Sequence, residues 1–248
     1  MPLTTAIERA SFEELLHILG WIADQRLNPE RLPGVLVGGW AVYAYNPYLG
    51  SIDIDLVVSG NMRKRLSRWL CQDRGFHPTR GGEPGWEGVF KDGPDGHKII
   101  ADFANRNEDY HFQGRPETLN FDIVDGHTEA RLIETLEVLV PERALLVLFK
   151  IKAAYDREVR LATGSSDDAD WERGKLVKDQ ADILALLDPA AGGNDLSVGF
   201  LGATLAQYPF LVPPLRSAGK SSDAIKRYGR MSLSAASQRI IDVVNVVT

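Results

Sequence analysis

The sequence predicts an α/β (α+β) protein, in which a strand-bearing N-terminal part with flanking helices is followed by a helical C-terminal part. Three observations carry this. The candidate strands, punctuated by Gly and Pro, lie between residues 35 and 124, helical periodicity takes over from about residue 142, and the charge changes sign along the chain. With 248 residues, 44% of them hydrophobic and 25% charged, the chain can bury one large core or two modest ones, which excludes a collagen, a disulfide scaffold and wholesale disorder.

The first element is a helix from Ser11 to about Leu27, with Ser11 and Glu14 forming a capping-box pair ahead of Leu15, Ile18, Leu19 and Ile22. Pro33-Gly34 makes a turn into a short buried strand, Val35–Val37, which runs into Gly38-Gly39 and a helical stretch from Trp40 to Tyr45 that stops before Pro47. Trp40 and Tyr43 pack that short helix. From Ser51 to Val58, Ile52, Ile54 and Leu56 alternate with Ser51, Asp53 and Asp55, a strand with both carboxylates on one face. Asn61 caps a basic amphipathic helix reaching about Gly75, in which Cys71 packs. A Gly/Pro-rich stretch from Gly81 to Gly96 holds one strand, Trp86–Phe90; His97–Phe103 is a strand ending on Asp102, and Phe121–Val124 is the last. A domain boundary is expected near residue 126, giving domains 1–126 and 127–248. Pro141 fits the first turn of a long helix from Glu142 to Arg160, Trp171–Leu187 forms another, and weaker helices cover Leu196–Gln207 and Leu233–Val247 around a Pro/Gly/Ser/Lys-rich connector.

The chemistry concentrates at Asp53 and Asp55. Two carboxylates two apart on a strand project side by side and supply hard oxygen ligands for divalent cations, while their mutual repulsion creates a demand for positive charge. Upstream, Gly38-Gly39 lets the backbone approach a ligand closely, and the helix N-terminus that follows presents N–H groups to phosphate.

The pair Gly38-Gly39, a short helix and then Ser51-Ile52-Asp53-Ile54-Asp55-Leu56 resemble the signature of the polymerase-beta-like nucleotidyltransferase superfamily. Asp102, between Ala101 and Phe103, fits the place of that superfamily's third carboxylate. Leu148 to Arg157, with Lys150, Lys152 and Arg157, and Lys178-Asp179-Gln180-Ala181-Asp182-Ile183 resemble the two helical motifs of AbiEii-type nucleotidyltransferases, the toxins of abortive-infection and type IV toxin–antitoxin systems. The resemblance implies a mixed-sheet catalytic domain, a helical domain completing the nucleotide cleft, and transfer of a nucleoside monophosphate from a nucleoside triphosphate to an acceptor hydroxyl. It implies Asp53, Asp55 and Asp102 as ligands of two Mg2+ ions, with Mn2+ as the alternative. Asp102 would also be the general base. Gly38, Gly39, Ser51 and Lys150 would bind nucleotide, with either Asp179 or Asp182 fixing Lys150 or a nucleotide hydroxyl. The implied acceptor is tRNA and the implied partner a cognate antitoxin. A small molecule of the aminoglycoside kind, a protein acceptor, and a non-catalytic nucleotide-binding module are the competing readings; a glycosyltransferase using Asp-x-Asp leaves Gly38-Gly39 unexplained. Lys152, Arg157 and Lys178 suit a solvated helix face, whereas Lys150 lies in the apolar run Ala144–Ile151, where an unpaired charge is costly.

A net charge of -6 excludes coating of nucleic acid by bulk electrostatics. The charge is uneven: residues 1–125 carry 13 Lys and Arg against 18 Asp and Glu, and residues 208–248 carry 6 against 2, so Arg216, Lys220, Lys226, Arg227 and Arg230 form a basic tail suited to phosphate. His17, His77, His97, His111 and His127 lack metal-ligand spacing. A single cysteine, no leader-like N-terminus and no apolar run approaching about 20 residues lead us to expect a cytoplasmic protein without a membrane span.

Overall fold

The structure is a computed structural model that describes residues 3–25, 34–79 and 86–247. The expected end of the first helix at Leu27, the turn residue Pro33 and the start of the Gly/Pro-rich stretch lie outside the described residues. Helix α1 spans Ala6–Asp24 and starts earlier than expected, because Thr5 and Glu8 form the capping box. Ser11 is instead fully buried: it accepts from Trp40 Nε1 at 3.2 Å and donates to the Ile52 carbonyl at 2.8 Å, tying α1 to the approach to the acids.

Strands β1 (Val35–Val37), β2 (Ile54–Val58), β3 (His77–Pro78), β4 (Trp86–Asp92) and β5 (Lys98–Asn105) form one mixed sheet in the order β1-β2-β5-β4-β3. β2 runs parallel to β5, and the other pairs are antiparallel. The parallel pair requires a crossover, which includes helix α3 (Gly60–Asp73), capped by Ser59 rather than by Asn61. Helix α2 covers Gly38–Tyr45, so the glycine pair opens the helix instead of preceding it. Trp40 is fully buried and Tyr43 nearly so, as packing residues of α2.

Two expectations fail between β5 and the helices. Phe121–Val124 is a 3-10 turn, held by the Asn120 side chain accepting from the Asp122 N–H, and not a strand. Strands β6 (Asp109–His111) and β7 (Thr118–Asn120) pair with each other, and β8 (Thr128–Ile133) with β9 (Leu136–Pro141) form an antiparallel hairpin. Pro141 therefore ends a strand. The chain separates into two compact units, residues 1–110 with 118–142, and residues 111–117 with 143–248. The division falls at Glu142, not near residue 126, because the hairpin packs on β1 of the sheet unit.

The second unit is helical. It contains α4 (Arg143–Thr163), α5 (Ala169–Leu187), α6 (Val198–Gln207), α7 (Val212–Ala218), α8 (Ser222–Tyr228) and α9 (Leu233–Val247). The stretch read as a connector is mostly α7 and α8. Leu145, Leu148 and Ile151 of α4 and Ile183, Leu184 and Leu187 of α5 are fully buried in its core. No single helix among the described residues is long and apolar enough to cross a membrane.

Candidate active site

Asp55 and Asp102 are register partners on the parallel pair β2 and β5, so their side chains leave the same face of the sheet side by side. The rung continues outward in both directions: Val37 of β1 is opposite Asp55, and Gly88 of β4 is opposite Asp102. All three acids, Asp53, Asp55 and Asp102, are half-buried. Asp53 precedes β2 in the bend that enters it. It therefore lies outside the regular alternation expected over Ser51–Val58. Asp102 sits within β5, which runs on to Asn105, rather than ending the strand.

Two glycines flank these carboxylates. Gly38 has φ +67, and a Cβ there would stand 1.9 Å from Asp55 Oδ2. Both the backbone conformation and the space require glycine. A Cβ on Gly88 would stand 2.2 Å from Asp102 Oδ1 and 3.0 Å from the Ala101 carbonyl. Gly88 is a site residue that sequence reasoning missed; its signal is an isolated Gly within the strand pattern Trp86–Phe90, the mark of close approach. Gly39 and Ser51 are buried, Ser51 at the foot of β2, and the first turn of α2 stands against Asp55, where its positive end favours the carboxylate.

Among the described residues, no group of three or more His, Cys, Asp or Glu side chains is gathered to hold a metal ion. The three acids thus do not form a ready-made three-carboxylate cage. The donor chemistry nevertheless suits a hard cation: Asp55 and Asp102 present oxygen ligands from adjacent strands, in space that a Cβ at either glycine would fill.

The second motif pair builds an ionic network in the helical unit. Lys150 of α4, almost fully buried, donates to Asp179 Oδ1 at 3.1 Å and pairs with Asp182 Oδ2 at 2.6 Å. Asp179 also accepts from Arg157 Nε at 2.8 Å, Glu172 joins Arg157 and Arg160 at 2.7 and 2.9 Å, and Lys178 reaches Asp182 at 3.1 Å. Arg157 and Lys178 are therefore not on a solvated face, because both complete a buried charge set. Lys152 departs further from that expectation. It is 0% exposed, bonded to Asp156 at 2.6 Å and to the His111 carbonyl at 2.8 Å. Burial raises the Asp179 carboxyl, but Lys150, Arg157 and Lys178 together hold it well below the ordinary carboxylate range. Asp182 and Glu172 shift the same way: burial opposes the shift, and it is overcome by Lys150 and Lys178 for the first and by Arg160 and Arg157 for the second. Burial lowers Lys178, against the pull of Asp182.

No protein-family model matches the chain, and no curated protein matches it. Solved structures do. ANT(2")-Ia in complex with adenylyl-2"-tobramycin is 16% identical with a TM-score of 0.47, covering 79% of this chain and 97% of its own. An antigenic nucleotidyltransferase-like protein from Paracoccidioides brasiliensis is 14% identical with a TM-score of 0.45, covering 98% of this chain and 93% of its own.

Proposed function

We propose that the protein is a metal-dependent nucleotidyltransferase that moves a nucleoside monophosphate from a nucleoside triphosphate to an acceptor hydroxyl. The observation that carries this reading is the Asp55–Asp102 rung between Gly38 and Gly88. Adjacent carboxylates repel when both are ionised, so the rung favours a divalent cation, Mg2+ or Mn2+, with Asp53 as the third ligand. That cation would neutralise triphosphate charge. Asp102 accepts the proton of the acceptor hydroxyl as its oxygen attacks the α-phosphorus. The bond from the α-phosphorus to the bridging oxygen breaks, and pyrophosphate leaves with that electron pair. Gly38, Gly39 and Ser51 are the sheet unit's nucleotide-binding residues, with backbone N–H groups at the start of α2 suited to phosphate. Lys150 is the helical unit's nucleotide-binding residue, and Asp179 and Asp182 both orient it.

The acceptor we favour is RNA, tRNA in particular, with an AbiEii-like toxin role and a cognate antitoxin as partner. The motifs of α4 and α5 support it, as does the tail, where Arg216, Lys220, Lys226, Arg227 and Arg230 are all exposed. A cationic small molecule of the aminoglycoside kind is the second reading, favoured by the net charge of -6 and the acid rung. Incubating the full chain with each α-labelled nucleoside triphosphate, Mg2+ and, in separate reactions, total tRNA or an aminoglycoside decides between them. We expect label on tRNA. Label on the aminoglycoside alone would replace the RNA reading by the second, and label on neither acceptor would remove both.

A further inference from the structure

Helix α3 lies on the other face of the sheet from the acids. Phe103 follows Asp102 on β5 and so points to the opposite face, where it floors a groove of about 290 Å3 that Arg63, Lys64, Ser67, Arg68 and Cys71 of α3 complete. The groove has no acid in its lining. Over its 14 residues α3 carries four cations, Arg63, Lys64, Arg65 and Arg68, against one acid, Asp73, in a half of the chain that is otherwise acidic. Arg63 is drawn toward Glu108 at 3.6 Å, whereas Lys64 and Arg68 are exposed and have no ion-pair partner among the described residues. They are one helical turn apart, about 6 Å along the axis, a step comparable to that between neighbouring phosphates of an extended strand.

An aromatic platform flanks the cations. Trp69 of α3 stacks on Trp21 of α1 with centroids 5.4 Å apart and planes 20° from parallel, both rings are half-exposed, and the Arg65 guanidinium lies 5.9 Å from the Trp21 centroid. Arg65 also donates to the Gln25 side chain, which holds it over the stack. Cations alone would suit any polyanion. Cations on the same helix as a half-exposed indole stack, with Arg65 beside the stack, suit a chain that alternates phosphates with flat bases.

We propose that α3 and its groove form a binding surface for single-stranded nucleic acid, with Lys64 and Arg68 contacting successive phosphates and the Trp69–Trp21 stack accepting a base. The surface stands on the face of the sheet that the acid rung does not occupy. It holds a strand at a place separate from the acids and needs no turnover to be detected.

The test is fluorescence anisotropy of a labelled 12-nucleotide single-stranded RNA of mixed sequence, titrated with the full chain at several salt concentrations. Wild-type affinity should fall steeply with salt, with a log–log slope near -2 for about three phosphate contacts at roughly -0.7 each. The exposed double variant Lys64→Ala/Arg68→Ala should bind at least about tenfold more weakly and lose about 1.4 from that slope. Trp69→Ala should weaken binding by about fivefold or more, with Trp69→Phe restoring most of it, which separates stacking from a folding defect. The Asp53→Asn protein should bind like wild type, so that loss of transfer and loss of binding are told apart. No RNA binding by wild type, an unaltered double variant, or loss confined to Lys226→Ala/Arg227→Ala in the tail would overturn the proposal. Inorganic polyphosphate binding as tightly as RNA, together with an unaltered Trp69→Ala protein, would overturn the nucleic-acid assignment in favour of a bare polyanion surface.

Discussion

A methyl group at position 88 would collide with Asp102 Oδ1 and press on the Ala101 carbonyl, so Gly88→Ala must displace the Asp102 carboxylate from its place beside Asp55. Overpacking of this kind costs about 1–3 kcal/mol of stability, while misplacing a reacting group by an ångström costs about 10²-fold in rate. Gly88→Ala is therefore expected to lose about 10²-fold in nucleotidyl transfer while remaining folded, and parallel label-transfer and urea-unfolding measurements check it; unchanged transfer would mean that Asp102 does not act in the reaction. Gly174 of α5 makes the contrast, since a Cβ there meets nothing within 4 Å. Gly174→Ala should raise stability by about 0.5–1 kcal/mol, read from the urea midpoint. The positions of Asp55 on a strand and of the glycine pair at a strand-to-helix junction were legible because strand alternation and Gly-Gly are local patterns, whereas Asp53 falls in the bend before β2, outside that alternation. That Asp102 partners Asp55, and that Gly88 guards it, was not legible, because cross-strand register joins residues far apart in sequence. The same reason hid Lys152, whose partner Asp156 is local but whose burial depends on the carbonyl of His111.

Among the elements, the hairpin β8–β9 was invisible for a specific physical cause. Its two-residue loop is Glu134-Thr135, and Glu134 takes φ +54, a conformation that glycine or asparagine normally announces. With no Gly in the loop, the run Thr128–Pro141 carries no turn signal that would mark it as a hairpin belonging with the strands before it. Relieving that backbone should help. Glu134→Gly is expected to stabilise the protein by about 1 kcal/mol, and an unfolding midpoint that falls instead would show that the Glu134 side chain makes contacts worth more than the strain. The helices were more legible, since α4, α5 and α9 follow apolar periodicity that packing reinforces. Their caps were less so: Ser59 rather than Asn61 accepts from the Met62 N–H at 3.4 Å, and the two candidates differ by only two positions.

At the scale of the whole molecule, the two units carry different electrostatics. The sheet unit gathers like charges on one rung, whereas the helical unit gathers Lys150, Arg157, Arg160 and Lys178 against Asp179, Asp182 and Glu172, opposite charges under cover. The folded state lowers the pKa of all three acids, so the stability they contribute is fully present above the ordinary carboxylate pKa of about 4 and is lost as pH falls through their depressed values. The urea midpoint of the full chain should accordingly fall between pH 5 and pH 3, and Asp179→Asn, less stable at neutral pH, should show a flatter fall; a wild-type midpoint unchanged down to about pH 3 would contradict the linkage. Removing the shared cation is more costly, because it leaves two buried carboxylates short of a partner. Lys150→Met should cost about 3 kcal/mol at pH 7.

If the acids of the sheet unit perform the transfer, their loss must abolish it without unfolding the protein. The decisive measurement follows α-label transfer to the best acceptor with wild type, Asp55→Asn and Asp102→Asn side by side, with thermal unfolding recorded on the same samples. Both variants are expected to lose about 10³-fold or more in rate while unfolding at the wild-type temperature to within a few degrees. Transfer by either folded variant at near the wild-type rate would contradict it.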